Sequence, residues 1–109
     1  QFINNKPLTV VRPGNQSRRF THIYDTVSTC YEAWEQNGCN HYSISSKKSY
    51  SITEVAKLFK SKIIYLKHRP GERYASALTK FSQKNKIIAN YGKIKLKDYI
   101  TSFIKGNYL

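Results

Sequence analysis

The chain has 109 residues, the length of one domain, and 39% of them are hydrophobic, which is typical of a globular fold rather than a disordered segment. Nineteen Lys and Arg against six Asp and Glu give a formal net charge of +13, which indicates an anionic partner such as nucleic acid, a membrane surface or a phosphorylated ligand. No apolar run reaches the roughly 18 residues that cross a bilayer, so no segment of this sequence is expected to span a membrane.

The first part of the chain predicts two short strands and a helix. Leu8–Val11 is rich in β-branched residues and ends at an Arg-Pro-Gly-Asn turn, and residues 20–23 predict a second strand. Asp25 is expected to cap a helix that ends at Asn37 and Gly38. One stripe of this helix, at helical spacing, is expected to face the core: Val27, Cys30, Tyr31 and Trp34.

The second part of the chain continues this alternation. Residues 41–45 predict a strand, and Ser51 with Glu54 forms a capping box that begins a helix. Residues 62–66 give the clearest strand, and a helix is expected over 76–89. A last helix is expected from its apolar positions, which are Leu96, Tyr99, Ile100 and Phe103. Short strands alternating with about four helices predict an α/β fold.

The sequence carries no catalytic or metal motif. Its five glycines never form a GxGxxG or a phosphate-binding P-loop. Tyr91 and Lys95 match Tyr-x-x-x-Lys, but Gly92 places them at an expected turn, and we interpret the match as chance. Cys30 and Cys39 lack zinc-site spacing, and we expect reduced thiols in a cytoplasmic protein, although the sequence leaves a disulfide open.

Arginines next to turns indicate a binding site more clearly than the catalytic and metal motifs do. Arg18 follows a Pro-Gly loop, and Arg69 stands between the clearest strand and a second Pro-Gly turn. Guanidinium groups pair with phosphate oxygens, and a nearby carboxylate such as Glu72 is suited to ribose hydroxyls. The alternative is that each of these residues is a solvated loop residue.

The order of the motifs resembles that of a known family. The stretches PLTVVRPGNQSRRFTHIYDTV, HYSISSKKSYSITEVAKLF and IIYLKHRPGERYASALT follow one another as in the C-terminal part of NAD-dependent nucleotide-sugar epimerases/dehydratases. These enzymes are Rossmann-type extended short-chain dehydrogenases/reductases, and UDP-glucose 4-epimerase is the nearest member. The resemblance covers nearly the whole chain. It implies that residues 1–109 form a single substrate-binding fragment whose NAD-binding domain lies upstream, which fits a sequence that has no methionine.

The resemblance also implies site residues. Arg18 matches the arginine of a Q-x-R motif on the phosphate side, Arg69 matches the arginine that grips the diphosphate, and Glu72 matches the acid that holds the ribose. Thr9 and Val11 match strand positions that line the base pocket. The expected ligand is therefore a UDP-sugar, and the NAD would belong to the intact enzyme. No catalytic residue and no tightly bound cofactor are expected in this segment.

Two other readings remain open at this point. The charge and the many aromatic residues fit a small basic nucleic-acid-binding module, although the lysines are dispersed along the chain. The chain also fits an α/β domain whose charge serves only solubility. Arg19 stands where the resembled family has Asp, and Arg12-Pro13 replaces Gly-Asp, so the exact sugar and base preference is not implied. Apolar surface left by a missing domain would favour self-association of the fragment, including a homodimer.

Overall fold

A computed structural model describes residues 1–36, 38, 44–71 and 92–106 of the chain. Four strands and three helices lie within these residues. In chain order they are β1 (Leu8–Val11), β2 (Ser17–Arg18), α1 (Ile23–Gln36), β3 (Tyr50–Ser51), α2 (Ile52–Leu58), β4 (Ile63–Leu66) and α3 (Leu96–Ile104). The α/β class is confirmed, and the expected count of about four helices is slightly high for the described part. The predicted helix over 76–89 lies outside the described residues.

The strands form two small sheets. β1 pairs with β4 in parallel, from Leu8 opposite Ile63 to Val11 opposite Leu66. β2 pairs with β3 in antiparallel fashion, with Arg18 opposite Tyr50. The parallel pair joins segments that are far apart in the sequence, and α2 lies between them along the chain, as in a crossover connection.

The core of the described part is small. α2 packs against β1 and α3, and the buried hydrophobic side chains are Val10, Ala56 and Ile100. The molecule measures 47 × 35 × 16 Å, with a radius of gyration of 16.5 Å. A compact domain of about 100 residues has a radius of gyration near 13 Å. The described elements therefore form a thin layer rather than a closed globule.

α2 begins where the sequence predicts. The Ser51 hydroxyl accepts a hydrogen bond from the Glu54 N–H at 3.1 Å, and the Glu54 carboxylate accepts one from the Ser51 N–H at 2.6 Å. The capping box is thus confirmed. The backbone hydrogen bond from Ser51 is the main cause that lowers the pKa of Glu54, and the Ser51 hydroxyl and the nearby Lys48 and Lys57 lower it further.

α1 differs from the prediction at its beginning. The helix starts at Ile23, so the strand expected over 20–23 is wrong, and Asp25 lies inside the first turn instead of capping it. The residue before the helix is His22, whose Nδ1 accepts a hydrogen bond from the Tyr24 N–H at 3.1 Å. The imidazole therefore satisfies one of the free N–H groups at the helix start, and the Asp25 side chain is available for a tertiary contact.

α1 also differs in the face that it buries. The expected core stripe is exposed: Cys30 lies on the surface, and Val27, Tyr31 and Trp34 are between 56% and 71% exposed. The buried residues of the helix are Asp25 and Thr29. The helical period was predicted correctly, but the interpretation of this stripe as core is wrong for this chain, because the buried side of α1 carries Asp25, which accepts a hydrogen bond from the Ile94 N–H.

One predicted element is only partly described. Residues 41–43 of the expected strand over 41–45 lie outside the described part of the chain, and Ile44 and Ser45 are not in a strand. The strand in this region is β3 instead. α3 and β4 lie where the sequence predicts them, within one residue of the expected bounds of β4.

Candidate functional site

The carboxyl ends of β1 and β4 meet at one edge of the parallel pair. The Arg12 N–H donates to the Leu66 carbonyl at 3.1 Å, which continues the strand pairing by one residue. Beyond this point the two strands continue into separate loops, in which Arg12, Lys67 and Arg69 are exposed. We call the ends of β1 and β4, together with these three residues, the carboxyl edge. In open α/β sheets, ligands bind outside the carboxyl ends of parallel strands, so this edge has the geometry and the positive charge for an anionic ligand.

A tight turn follows Arg69. Gly71 has a φ of +82°, the value of the third position of a type II turn, and Pro70 supplies the φ that the second position requires. Among the described residues, nothing lies within 4 Å of the place where a Cβ of Gly71 would stand. These residues therefore leave the turn open, with Arg69 at its start. Glu72 and Arg73 lie outside the described residues, so the predicted ribose contact of Glu72 has no structural account.

The outward face of the parallel pair is apolar. Val10 points to the core side and is 2% exposed, so Thr9 and Val11 occupy the opposite face by strand alternation. Their partners on β4 are Ile64 and Leu66, which are 43% and 39% exposed. The structure thus brings together two predicted site residues, Thr9 and Val11, with an apolar surface that ends at the carboxyl edge.

The polar groups of Thr9 have a partner within the chain. The Gln1 amide donates from Nε2 to the Thr9 hydroxyl at 2.9 Å, and its Oε1 accepts from the Thr9 N–H at 3.1 Å. A ligand that used either group would have to displace Gln1. Val11 is half-buried and offers an apolar side chain, so its predicted role needs no such displacement.

Arg18 lies on the second sheet. It is half-buried in β2, opposite Tyr50, and its Nη1 donates to the Ser17 carbonyl at 2.7 Å. The structure therefore places Arg18 at the end of β2, whereas Arg69 lies in the loop beyond β4, which belongs to the other sheet.

The loop between β1 and β2 is tightly held. The Gly14 carbonyl accepts from the Thr53 N–H at 3.0 Å, and the Gln16 carbonyl accepts from the Ile52 N–H at 3.1 Å, so the loop docks on the first turn of α2. Gln16 is 3% exposed, and its Nε2 donates to the Val11 carbonyl at 3.4 Å. Its Oε1 has no hydrogen-bond partner among the residues that the structure describes. A buried acceptor without a partner is costly, which is typical of positions kept for a function.

Two further polar residues have structural roles. The Arg19 Nη1 donates to the carbonyls of Ser46 and Lys47 at 2.9 and 2.6 Å, and this explains a position that the sequence left unassigned. Asp25 is 6% exposed, and its Oδ2 accepts from the Ile94 N–H at 3.0 Å. Asp25 therefore joins α1 to the segment that leads into α3. The expected role of Asp25 as a helix cap is wrong, and its carboxylate instead binds a partner that is distant in sequence.

Sequence reasoning missed several members of the carboxyl edge. Arg12 was interpreted only as a departure from the family pattern, and Lys67 was not singled out. Ile64 and Leu66 were predicted to lie in a strand, but the prediction did not say which side of the strand faces outward. The period-two alternation of β4 was the available signal, but the pairing of β1 with β4 is needed to know which face is outward.

The described part of the chain also gives information on metal sites, cysteines and membrane-spanning helices. No group of three or more His, Cys, Asp or Glu residues within it could hold a metal ion. Cys30 is a free thiol, while Cys39 lies outside the described residues. Among the helices that the structure describes, none is long and apolar enough to span a membrane.

Comparison with known proteins gives one consistent likeness. No family model matches the sequence, and no curated protein matches it. Among solved structures, the chain is similar to UDP-glucuronic acid 4-epimerase from Bacillus cereus in complex with UDP-glucuronic acid and NAD, with a TM-score of 0.75 and 25% identity over 99% of this chain. A tyrosine-to-phenylalanine mutant of that enzyme, with UDP-4-deoxy-4-fluoro-glucuronic acid and NAD, gives a TM-score of 0.73 at 25% identity over 99% of this chain.

A third structure of the enzyme, with NAD, gives a TM-score of 0.68 at 22% identity over 100% of this chain. In every case the chain spans 38% of the length of the solved epimerase. The likeness supports the resemblance to the epimerase family that the sequence predicted, and the solved structures of that enzyme contain NAD. The solved enzyme acts on another sugar than UDP-glucose 4-epimerase, the nearest member expected from the sequence.

Proposed function

We propose that this chain is the substrate-binding portion of a longer NAD-dependent nucleotide-sugar 4-epimerase or dehydratase, and that it binds a UDP-sugar at the carboxyl edge. The observation that carries the proposal is the combination of an apolar strand face with exposed cations at its end. Val11, Ile64 and Leu66 offer the face, and Arg12 and Arg69 stand where it ends. A nucleotide has the matching division, because the flat face of its base packs on apolar side chains and its diphosphate is anionic.

In this proposal each residue has one task. Arg69 pairs with the diphosphate through its guanidinium, and Arg18 approaches the phosphate side from the second sheet. Glu72 holds the ribose, and Thr9 and Val11 line the base pocket. Binding energy gathered at the nucleotide holds the sugar in register for chemistry that occurs elsewhere.

The chain's own residues do not fit NAD. Its five glycines stand at 14, 38, 71, 92 and 106, and they never give the closely spaced glycines that let a backbone approach a dinucleotide pyrophosphate. NAD and the catalytic residues would therefore belong to the remaining portion of the longer enzyme. The segment described here would be inactive alone and would contribute only substrate binding.

The proposal is tested by titrating UDP into the protein at its full natural length, with isothermal calorimetry. Arg69→Ala removes one charge-assisted hydrogen bond, which corresponds to about a tenfold weaker affinity. Lys105→Ala is the matched control, because it removes an exposed cation beyond α3, and it should leave the affinity within twofold. Equal affinities of the wild type and the Arg69 variant would refute the role of this residue.

The nucleic-acid reading has less support from the structure. Three of the exposed aromatic residues, Tyr24, Tyr31 and Trp34, lie on α1. This helix contains three of the chain's six acidic residues and no Lys or Arg. A stacking surface for single strands needs a basic groove beside the aromatics. Filter binding of oligonucleotides with a steep inverse salt dependence, together with no heat on UDP addition, would favour the nucleic-acid-binding module over the UDP-sugar-binding portion.

A further inference from the structure

A second basic region lies where the loop before β3 meets the segment before α3. A pocket of about 330 Å³ opens between these two stretches of the chain. Pockets that hold small molecules measure roughly 300–1,000 Å³, so this one has room for a small ligand. We call it the lysine pocket, and its lining residues are Ser46, Lys47, Lys48, Tyr50, Gly92, Lys95 and Leu96.

The two walls of the lysine pocket lie close together. A Cβ at Gly92 would stand 3.4 Å from the Ser46 Cα and 3.5 Å from the Ser45 carbonyl oxygen, which is van der Waals distance. The Ser46 N–H also donates to the Thr21 hydroxyl at 3.2 Å. The loop before β3 is therefore held both by the residues before α1 and by the segment before α3.

Arg19 occupies the carbonyl oxygens of this loop. Its Nη1 donates to the Ser46 and Lys47 carbonyls at 2.9 and 2.6 Å. Carbonyl oxygens repel an anion, and here a guanidinium group offsets their partial negative charge. The resembled family has Asp at this position, which would instead place a negative charge beside the loop. Arg19 therefore makes the potential at the lysine pocket more positive.

The lysines of the pocket keep their charge available for a ligand. All three of them are exposed: Lys47, Lys48 and Lys95. The Lys48 Nζ stands 4.5 Å from the centroid of the Tyr50 ring, a cation–π contact that holds the ammonium group without neutralising it. Lys48 also lies near Glu54, but the Glu54 carboxylate accepts the Ser51 N–H in the capping box. Among the described residues, no acid lines the pocket.

The amino end of α3 adds to the same positive field. The N-cap is Lys95, whose side chain makes no capping hydrogen bond, and Leu96 begins the helix and lines the pocket. The first N–H groups of a helix have no partner within it and carry partial positive charge. Asp98 stands in the first turn and opposes this charge, but it does not line the pocket. The lysines therefore form the site, and the helix end contributes to their field.

We propose that the lysine pocket binds a small phosphorylated molecule, at a site separate from the one proposed for the UDP-sugar. Ammonium groups attract phosphate oxygens, and Tyr50 with Leu96 offers apolar surface to the rest of the ligand. A nucleic acid carries the same phosphates, but a single strand needs a basic groove that continues beyond one pocket of this size. The pocket is built from β3 and the start of α3, so this inference does not depend on the role of the carboxyl edge.

Competition for the lysines tests the site. Pyridoxal phosphate carries an aldehyde beside a phosphate; the aldehyde condenses with a lysine amine with loss of water, and borohydride reduces the imine to a stable amine. Peptide mass spectrometry follows each lysine of the protein at its full natural length, with inorganic pyrophosphate as the competitor. We expect pyrophosphate to slow the modification of the three pocket lysines at least about tenfold. Lys57 and Lys105, which are exposed but do not line the pocket, should change less than about twofold.

Sodium chloride at the same ionic strength is the control for screening, which acts on every exposed charge. Equal protection by chloride and by pyrophosphate would overturn the inference, and so would equal protection of the pocket lysines and the control lysines. Protection by a single-stranded oligonucleotide at a lower phosphate concentration than pyrophosphate would assign the surface to nucleic acid, which also overturns it.

Two double variants with the same loss of charge give a second measurement. Lys47→Ala combined with Lys95→Ala should raise the pyrophosphate concentration that half-protects Lys48 at least about tenfold, because two charged partners of the phosphate are removed. Lys57→Ala combined with Lys105→Ala should change that concentration less than about twofold. An unchanged concentration in the pocket variant would contradict the site.

This proposal and the UDP-sugar role fail separately. Arg69→Ala should weaken UDP binding but leave the pyrophosphate concentration that half-protects Lys48 within about twofold of the wild type. If UDP produces no heat while pyrophosphate still protects Lys48, the role of the carboxyl edge is wrong and the lysine pocket stands. Protection of Lys48 that is lost in Arg69→Ala would place the pyrophosphate at the carboxyl edge and overturn the inference.

Discussion

Replacement of Asp25 tests the contact that joins α1 to the segment before α3. The carboxylate is 94% buried, as follows from its 6% exposure, and its Oδ2 accepts the Ile94 N–H at 3.0 Å. Asp25→Ala removes a hydrogen bond to a charged group and leaves the Ile94 N–H without that acceptor, which costs about 2–3 kcal/mol. Asp25→Asn keeps an acceptor of the same shape without the charge, so we expect a loss of about 1 kcal/mol.

The measurement is urea unfolding followed by circular dichroism. With a slope of about 1–3 kcal/mol/M, the alanine variant should lower the midpoint by about 0.7–3 M. Glu35→Ala is the matched control, because Glu35 is an exposed acid on the same helix, and it should stay within about 0.5 kcal/mol of the wild type. If Asp25→Ala were as stable as Glu35→Ala, the contact with Ile94 would not contribute to the free energy of unfolding.

Two further predictions concern backbone and charge. Gly14→Ala should lower the melting temperature more than Gly71→Ala, because both glycines have φ near +80° but only a Cβ at Gly14 would meet the Thr53 side chain; similar losses would show that the loop adjusts. The lowered pKa of Glu54 stabilises the folded state above the ordinary value near 4.5, and this stabilisation is lost as the pH falls through the lower folded pKa. Glu54→Gln should therefore flatten the acid side of the stability–pH profile, and an unchanged profile would contradict the capping-box contribution.

Local features of this fold were predictable from the sequence. The capping box of Ser51 and Glu54 is a four-residue pattern, and both of its hydrogen bonds form within those residues. β1, β4 and α3 were also predicted, because each has a strong propensity or a clear period over a short stretch. These elements need little information from the rest of the molecule.

What failed depends on distant contacts. The apolar period of α1 indicates that one face is covered, but it does not say whether the cover belongs to the same chain, and here the face is exposed. The stretch 20–23 has β-forming residues, yet the hydrogen bond from the Ser46 N–H to the Thr21 hydroxyl, 25 residues away in sequence, holds it as a loop before α1. The carboxyl edge depends on a parallel pairing that no local pattern reveals.

That parallel pairing has a consequence for synthesis of the chain on the ribosome. Leu8 is synthesised 55 residues before Ile63, its partner on β4, so β1 has no pairing strand until then. At about 5–20 residues per second, β1 spends about 3–11 s without its neighbour. The strand is flanked by Lys6-Pro7 and Arg12-Pro13, and charges and prolines at the ends of an apolar strand oppose aggregation. Arg12, which lies at the carboxyl edge in the folded molecule, would thus also protect the nascent strand before β4 is synthesised.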